Sequence, residues 1–214
     1  MYGRDVVAVI DDDQHNRDIV RMMLEGLDVD VLAYAGARQF LDDPAARDAS
    51  CLVLDVRMPG MSGLELQRRL NEQHRTVPIV FLTADGDVPM AVDAMRAGAQ
   101  AFLLKPFKDY ELLDNVRRAL ALAQEQRHRQ RRSDTVRARF ELLSAREREV
   151  LDLLASGLRS KDIALALSIS VKTVEEHRTN MMRKTRTASM VELVRLAAEA
   201  AVLSNANRTD AGPR

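Results

Sequence analysis

Apolar and polar residues alternate along the first half of the chain in the manner of short strands and helices. Five apolar runs predict strands at 5–10, 29–35, 51–55, 78–84 and 101–106. Amphipathic spacing between these runs predicts helices near 14–26, 36–42, 63–73, 87–97 and from 109 onward. Strands that alternate with helices indicate a parallel sheet, and the continuous apolar runs LVLD and IVFL indicate helices on both of its faces.

The second half of the chain shows only helical patterns. Its first helix opens with Ser144 and Glu147 at the spacing of a capping box, and Gly157 fits a C-terminal stop. The segment SKDIALAL predicts a short second helix, and Ser170 is placed to cap a third, VKTVEEHRTNMMRK. Because the tight connection SIS joins these two helices, the pattern matches a helix-turn-helix.

The third of these helices has two different faces. Val174, His177 and Met181 form one stripe, which we expect to pack inside the domain. The opposite stripe consists of Lys172, Glu176, Thr179 and Arg183. Its donors and acceptors suit base edges and phosphates, but the same stripe is also typical of an ordinary solvated helix surface. The pattern alone leaves both interpretations open.

The segment between the two halves is strongly charged. Residues 124–139, QEQRHRQRRSDTVRAR, contain almost no apolar side chains, and we expect them to extend the fifth helix through solvent. Contacts of these arginines with DNA phosphates are the alternative. We therefore predict a first domain at 1–122, a charged helical linker at 123–139, a second domain at 140–204 and a flexible tail at 205–214.

The net charge of zero conceals a difference between the two halves. Residues 1–119 contain 14 Lys and Arg against 20 Asp and Glu, whereas residues 120–214 contain 18 against 12. An acidic half suits a cation and a basic half suits nucleic acid. The single cysteine, Cys51, excludes an internal disulfide, and we expect it to lie inside a strand. Without a signal peptide or a long apolar run, the expected location is the cytoplasm, with no membrane partner.

Acidic residues follow two of the predicted strands. Asp11 and Asp12 follow the first strand, and Asp55 ends the third. In a parallel sheet these positions share one edge, where clustered carboxylates repel each other unless a cation lies between them. Oxygen-only ligands favour Mg²⁺ over zinc. The alternative is that these acids are ordinary loop residues and helix caps, which is the role we assign to Asp13.

A hydroxyl and an ammonium group are expected at the same edge of the sheet. Thr83 follows the fourth strand and Lys105 follows the fifth. A lysine beside carboxylates supplies a point charge for a phosphoryl oxygen, and a hydroxyl can donate to another. With Mg²⁺, this set suits phosphoryl transfer onto a carboxylate. Whether the Lys105–Pro106 bond is cis cannot be decided from the sequence.

These motifs resemble the receiver domain of two-component response regulators. The similarity covers about residues 4–122 and rests on IDDD, LVLDVRMPGMSGLEL and VPIVFLTADGDVPMAVDAMRAGAQAFLLKPF. It implies a flavodoxin-like (βα)5 fold in which Asp55 is the phosphoacceptor. It also implies that Mg²⁺ is held by Asp12, Asp55 and the backbone carbonyl of Arg57, with Asp11 acting chiefly through water. Thr83 and Lys105 would contact the phosphoryl group, and Phe102 would change rotamer with Thr83.

Residues 143–201 resemble the four-helix DNA-binding domain of the LuxR type. The matching segments are SAREREVLDLLASG, SKDIALALSIS, KTVEEHRTNMMRK and SMVELVRLAAEA. This resemblance implies double-stranded promoter DNA as a partner and a set of DNA-contacting residues: Lys161, Lys172, Thr173, Glu175, Glu176, Arg178, Thr179, Arg183 and Lys184. Two positions depart from the family pattern, because Glu175 stands where Lys is common and Ser160 where Asn is common. A carboxylate in the groove can accept from cytosine N4.

The combination of both domains resembles the FixJ/NarL family of response regulators. That resemblance implies an activation in which a sensor histidine kinase transfers a phosphoryl group to Asp55, and in which homodimerisation, promoter binding and contact with RNA polymerase follow. It implies a regulator and not an enzyme. A haloacid-dehalogenase-type phosphatase uses a similar Asp, Thr and Lys set, but it needs Asp-x-Asp where this chain has Asp55-Val56-Arg57. A regulator whose receiver has lost phosphorylation is a further alternative.

Overall fold

Five strands form a parallel sheet in the first part of the chain. The computed structural model describes residues 4–84 and 86–209. The strands are β1 (Asp5–Ile10), β2 (Val29–Tyr34), β3 (Cys51–Asp55), β4 (Ile79–Thr83) and β5 (Ala101–Leu104). Their order is β2-β1-β3-β4-β5, and each neighbouring pair is parallel. The prediction of a flavodoxin-like sheet is therefore confirmed.

Helices connect the strands and cover the sheet on both sides. They are α1 (Gln14–Leu24), α2 (Ala37–Asp42), α3 (Gly63–Glu72), α4 (Val88–Arg96) and α5 (Asp109–Glu141). A 3₁₀ helix, Pro44–Asp48, lies between α2 and β3 and was not predicted from the sequence. Five residues of this tight helix complete fewer than two turns, which is too short for a recognisable apolar period.

Two apolar layers hold the sheet between the helices. On one side, Phe40 of α2, Leu66 of α3 and Ala94 of α4 pack against the strands. On the other side, Leu24 of α1 and Leu112 of α5 do so. The central strands β3 and β4 are buried at every position. This explains why their sequences are continuous apolar runs without the alternation that a half-exposed strand would show.

The fifth helix passes through the whole segment that the sequence identifies as a charged linker. The chain divides into two units between Arg127 and His128, inside this helix. Arg127 pairs with Asp5 at the start of β1 and donates to Oγ of Ser50 at 3.0 Å. Further along, Val136 is buried. The prediction of a solvated segment is therefore wrong at Val136, whereas Arg127 remains exposed while it contacts the start of β1.

The second unit is helical in its described part. It contains α6 (Ala145–Ala155), α7 (Ser160–Ala166), α8 (Val171–Thr185) and α9 (Met190–Thr209), with the end of α5 before them. The predicted capping box of Ser144 and Glu147 is present, and Ser170 caps α8. Gly157 ends α6 with a φ of 86°, a left-handed conformation that glycine adopts without strain.

Apolar side chains from all four helices form one core. Val150 of α6, Ile163 of α7, Val174 and Met181 of α8, and Leu193 of α9 are fully buried there. The predicted inward stripe of α8 is thus confirmed at two of its three positions, whereas His177 is only half-buried. A helix-turn-helix formed by α7 and α8 therefore rests on the other two helices.

The end of the chain differs from its prediction. α9 continues through Thr209, so the segment 205–209, predicted as flexible tail, is helical. Residues 210–214 of that predicted tail lie outside the described residues. Within the part of the chain that the structure describes, no helix combines the length and the apolar character needed to cross a membrane.

Candidate functional site

Asp11 and Asp55 lie at the carboxyl ends of two adjacent strands. Asp55 is the last residue of β3, and Asp11 directly follows β1. The strand order reverses between β1 and β3, which is the point where open α/β sheets bind ligands. Both residues are largely buried, with 5% of Asp11 and 8% of Asp55 exposed. Two carboxylates in so little water need positive partners nearby.

One ammonium group contacts both carboxylates. Nζ of Lys105 lies 2.7 Å from Oδ2 of Asp11 and 3.5 Å from Oδ1 of Asp55. Lys105 follows β5, and its amide donates to the carbonyl of Thr83 at 2.8 Å. The peptide bond between Lys105 and Pro106 is cis. The side chain thus reaches from the edge strand, past the end of β4, to the acidic pair.

The surroundings of Asp55 make its carboxyl a weaker acid than a free aspartate. Burial, together with the charges of Asp11 and Asp12, raises the pKa of the Asp55 carboxyl above its ordinary value, although Lys105 acts in the opposite direction. The amide of Arg57 donates to Oδ2 of Asp55 at 3.1 Å. One lysine therefore does not offset the local negative charge, and a further cation would stabilise the ionised carboxylate.

The predicted grouping of three carboxylates is not found. Asp12 is exposed, and Asp11 directs Oδ1 toward the amide of Asp13 at 2.9 Å and the side chain of Asn16 at 3.4 Å. In residues 4–84 and 86–209, no three His, Cys, Asp or Glu side chains are grouped closely enough to hold a metal ion. Exposure of Asp12 to water and the position of Lys105 both reduce the repulsion that clustering would create.

The donor chemistry at this edge nevertheless fits Mg²⁺. Asp11, Asp12, Asp55 and the carbonyl of Arg57 offer only hard oxygen ligands, and they belong to the ends of two adjacent strands. Mg²⁺ keeps several of its waters in such sites, so it needs only one or two direct carboxylate ligands. Asp13 is a helix cap and not a member of this ligand set, as predicted. Its side chain accepts a hydrogen bond from the amide of His15 and caps α1.

Thr83 and Phe102 belong to β4 and β5, the two strands on the far side of β3 from β1. Thr83 ends β4 and is almost completely buried. Phe102 in β5 is half-buried, and its ring centroid lies 5.9 Å from that of Phe81. Gly86, which the sequence analysis overlooked, packs tightly here: a Cβ atom at this position would lie 2.8 Å from Cε1 of Phe102 and 2.9 Å from Cγ2 of Thr83. Its only signal in the sequence is a glycine soon after β4.

Gly63, the first residue of α3, brings this helix into close contact with the end of β3. Its amide donates to the carbonyl of Val56 at 2.9 Å, which brings the start of α3 against the end of β3. A Cβ atom on Gly63 would lie 2.2 Å from the carbonyl oxygen of Asp55. Glycine therefore permits the backbone contact that fixes the position of Asp55.

The second unit presents the polar stripe of α8 to solvent. Lys172, Glu176, Thr179 and Arg183 are all exposed, and so is Lys161 on α7. Thr173 is half-buried, and its amide and hydroxyl both bond to Oγ of Ser170 in the N-terminal cap of α8. Within the stripe, the Thr179 hydroxyl donates to the carbonyl of Glu175 at 3.0 Å and Nη2 of Arg183 donates to Oδ1 of Asn180 at 3.2 Å, so a DNA partner would share or replace these bonds. Thr173 also stabilises the helix start.

Lys184 has a structural partner that the sequence did not reveal. Its Nζ lies 2.7 Å from Oε2 of Glu147, which is only 3% exposed. Burial acts to raise the pKa of Glu147, but hydrogen bonds from Lys184 and Ser144 outweigh it and hold that pKa below its ordinary value. The assignment of Lys184 to DNA contact is therefore incomplete, because this side chain joins α8 to α6.

Three side chains form a closed set of hydrogen bonds between α7 and α8. Oγ of Ser160 donates to Oε1 of Glu175 at 2.6 Å. Nη1 of Arg178 donates to both, to Ser160 at 2.7 Å and to Glu175 at 2.9 Å. Ser160 and Glu175, the two departures from the family pattern, are thus in direct contact.

Comparisons with known proteins assign both units. A family model described as "Response regulator receiver domain" matches residues 7–117. A second, described as "Bacterial regulatory proteins, luxR family", matches residues 141–197. Together the two models span the sheet with its acidic edge and the helices around the helix-turn-helix. The alternative of a phosphatase is therefore wrong.

Similar proteins share both units. The transcriptional regulatory protein FixJ of Azorhizobium caulinodans is 44% identical over 196 residues, which cover 92% of this chain and 93% of that protein. Response regulator protein TodT of Pseudomonas putida is 41% identical over 191 residues, with coverages of 89% and 84%. A solved structure of the response regulator StyR is 41% identical, with a TM-score of 0.84 and coverages of 92% and 100%. The chain belongs to the FixJ/NarL family of two-component response regulators, which are transcriptional regulators and not enzymes.

Proposed function

We propose that a sensor histidine kinase phosphorylates this regulator on Asp55, and that phosphorylation promotes dimerisation and promoter binding. The observation that carries this proposal is the single ammonium group of Lys105 shared between Asp11 and Asp55. A buried, incompletely neutralised carboxylate beside a lysine suits phosphorylation, because the lysine can pair with the oxygens of the added phosphoryl group.

The residues at the carboxyl edge of the sheet would take different roles in the phosphoryl transfer. An Asp55 oxygen forms the new bond to phosphorus as the bond from phosphorus to the kinase histidine breaks, and the leaving imidazole takes a proton from solvent. Asp12, Asp55 and the carbonyl of Arg57 would hold Mg²⁺, with Asp11 acting through water. Bound there, Mg²⁺ would neutralise charge on the phosphoryl oxygens. Lys105 pairs with one of those oxygens, and Thr83 donates its hydroxyl to another.

The new charge then acts on the neighbouring side chains. A phosphorylated Asp55 attracts Lys105 away from Asp11 and draws the Thr83 hydroxyl inward. Because Gly86 allows Thr83 and Phe102 to pack without an intervening side chain, a shift of Thr83 changes the space available to the Phe102 ring. Phe102 lies on β5, so its rotamer connects the acidic edge with the surface of α4 and β5.

That surface suits a contact between two receivers. It exposes apolar side chains that water solvates poorly, namely Val88, Val92 and Met95 on α4 and Leu104 on β5. Association of two copies would cover them and bring two DNA-binding units onto paired half-sites. The polar stripe of α8 would enter the major groove of promoter DNA, and RNA polymerase would then be a further partner. This function places the protein in the cytoplasm, where bacterial promoters are found.

Phosphorylation with labelled acetyl phosphate tests the proposal. The wild-type chain should incorporate label in the presence of Mg²⁺ and lose this ability when the cation is chelated. Asp55→Asn should incorporate none, whereas Asp13→Asn, which changes the cap of α1, should retain labelling. Full labelling of Asp55→Asn would overturn the assignment of the phosphoacceptor. A wild-type chain without label would favour a receiver that has lost phosphorylation.

A further inference from the structure

We infer that Glu175 is a positioning residue, which acts on DNA through Arg178 and not through a base of its own. This inference deepens the proposed function, since it rests on α8 being the helix that meets DNA. It replaces the expectation that the Glu175 carboxylate accepts a hydrogen bond from cytosine. The hydrogen-bonded set of Ser160, Glu175 and Arg178, which we call the α7–α8 clamp, carries the argument.

The clamp occupies one oxygen of Glu175 and one nitrogen of Arg178. Oε1 of Glu175 accepts from both partners, and Nη1 of Arg178 donates to both. A guanidinium has five N–H donors in a rigid plane, so the two bonds of Nη1 leave Nη2 and Nε outside the clamp. Because the plane is rigid, fixing Nη1 also fixes the direction in which these remaining donors point.

The two helices of the helix-turn-helix share the clamp. Ser160 opens α7 and is half-buried, whereas Glu175 and Arg178 lie one turn apart on α8. Oγ of Ser160 contacts both of them, so the guanidinium is held relative to a second helix and not only along its own. An isolated i,i+3 ion pair on a helix surface would fix little, because both side chains keep much of their rotamer freedom.

The position of the clamp suits a phosphate contact at the border of the α8 stripe. On a helical projection, Glu175 and Arg178 flank the exposed residues Lys172 and Thr179 on one side. The side chain of Arg178 is 29% exposed and that of Glu175 is 52% exposed, so both can be reached by a large partner. A directed guanidinium there would fix the register of α8 on the duplex, and register decides which bases the stripe meets.

The charge of Glu175 has a second consequence. A carboxylate near the DNA backbone repels phosphates and lowers affinity for any duplex. Replacing it by glutamine should therefore strengthen binding to every DNA in proportion to the lost charge. Release of Arg178 removes the fixed register of α8 and should therefore weaken binding to the preferred site more than binding to scrambled DNA. The ratio of affinities for preferred and scrambled DNA separates these two effects, because a uniform change in affinity cancels from it.

A double-mutant cycle on the full-length chain tests the inference. The probe is the double-stranded sequence that the wild-type chain, treated with acetyl phosphate and Mg²⁺, enriches from random DNA, compared with a scrambled version. Glu175→Gln should reduce the affinity ratio roughly three- to tenfold. Ser160→Ala should reduce it in the same direction. In a chain that already carries Arg178→Ala, Glu175→Gln should leave the ratio unchanged.

The outcomes distinguish the inference from its alternatives. Glu176→Gln serves as a matched control, since it removes the same charge from the next residue of α8, outside the clamp. If Glu175→Gln changes the preferred base at one position even with Arg178→Ala present, Glu175 reads a base directly and the positioning role is wrong. An unchanged ratio in Glu175→Gln also overturns it. If the wild-type chain enriches no sequence, the proposed DNA-binding function fails, and the positioning role fails with it.

Discussion

Nζ of Lys105 lies 0.8 Å closer to its carboxylate contact on Asp11, at 2.7 Å, than to that on Asp55, at 3.5 Å. Lys105 is therefore bonded mainly to Asp11 and only weakly to Asp55, the proposed phosphoacceptor. The Asp55 carboxylate keeps a weaker partner and a raised pKa, with burial as the main cause. A phosphoryl group added to Asp55 would compete for the same ammonium group and reverse the preference.

Removal of the ammonium group should destabilise the receiver. We expect Lys105→Ala to lower the free energy of unfolding by about 1–3 kcal/mol, because it leaves two largely buried carboxylates without their shared cation. Thermal unfolding followed by circular dichroism measures the change. Mg²⁺ should restore more stability to this variant than to the wild type. Lys108→Ala, at an exposed position three residues later, is the control and should unfold as the wild type does.

Addition of one methyl group should displace the proposed phosphoacceptor. A Cβ atom on Gly63 would lie 2.2 Å from the carbonyl oxygen of Asp55, a contact that backbone atoms cannot relieve without moving. We expect Gly63→Ala to cost about 1–3 kcal/mol in denaturant unfolding and to slow acetyl-phosphate labelling. Gly36→Ala is the matched control, since a Cβ atom there meets nothing within 4 Å. Equal behaviour of the two variants would argue against the contact.

Two adjacent residues of α8 should separate stability from DNA binding. Lys184→Ala should destabilise the second unit by about 1–3 kcal/mol, because it leaves the buried Glu147 without its ammonium partner. Arg183→Ala removes an exposed side chain and should leave stability within about 0.5 kcal/mol while it weakens DNA binding. Unfolding curves and binding titrations of both variants provide the comparison. A Lys184→Ala chain of wild-type stability would contradict the role of this ion pair.

The stability of the second unit should fall in acid through Glu147. The folded state holds the pKa of Glu147 below its ordinary value of 4.5, so at neutral pH the ionised carboxylate contributes its full stabilisation. That contribution should disappear as the pH falls from the ordinary value through the lower, folded one. Glu147→Gln should be less stable than the wild type at pH 7, and the difference should vanish in acid. Denaturant midpoints of both chains at several pH values give the measurement.

Much of the fold follows from short-range sequence patterns. The strands β1 and β3 have their predicted limits, because charged or turn-forming residues border their apolar runs. The caps of Asp13, Ser144 and Ser170 were also predicted, since a cap depends on residues only two or three positions apart. Such features are local, because the residues that determine them lie within a few positions of one another in the sequence.

The contacts that were missed join residues far apart in the sequence. Lys184 and Glu147 are 37 positions apart, and Arg127 and Asp5 are 122 positions apart. Neither residue of such a pair carries a local signal for the other, because their proximity depends on how helices and strands pack. The expected grouping of three carboxylates failed for a related reason: the sequence places Asp12 at the right edge but does not determine whether its side chain turns toward water.

We expect phosphorylation of Asp55 to turn single receivers into pairs. Sedimentation analysis of the wild-type chain and of Asp55→Asn, each with and without acetyl phosphate and Mg²⁺, measures this directly. The wild-type mass should double on treatment, from about one chain to two, while the mass of Asp55→Asn stays unchanged. A wild-type chain that is fully labelled yet keeps its mass, or an Asp55→Asn chain that pairs equally well on treatment, would contradict this expectation.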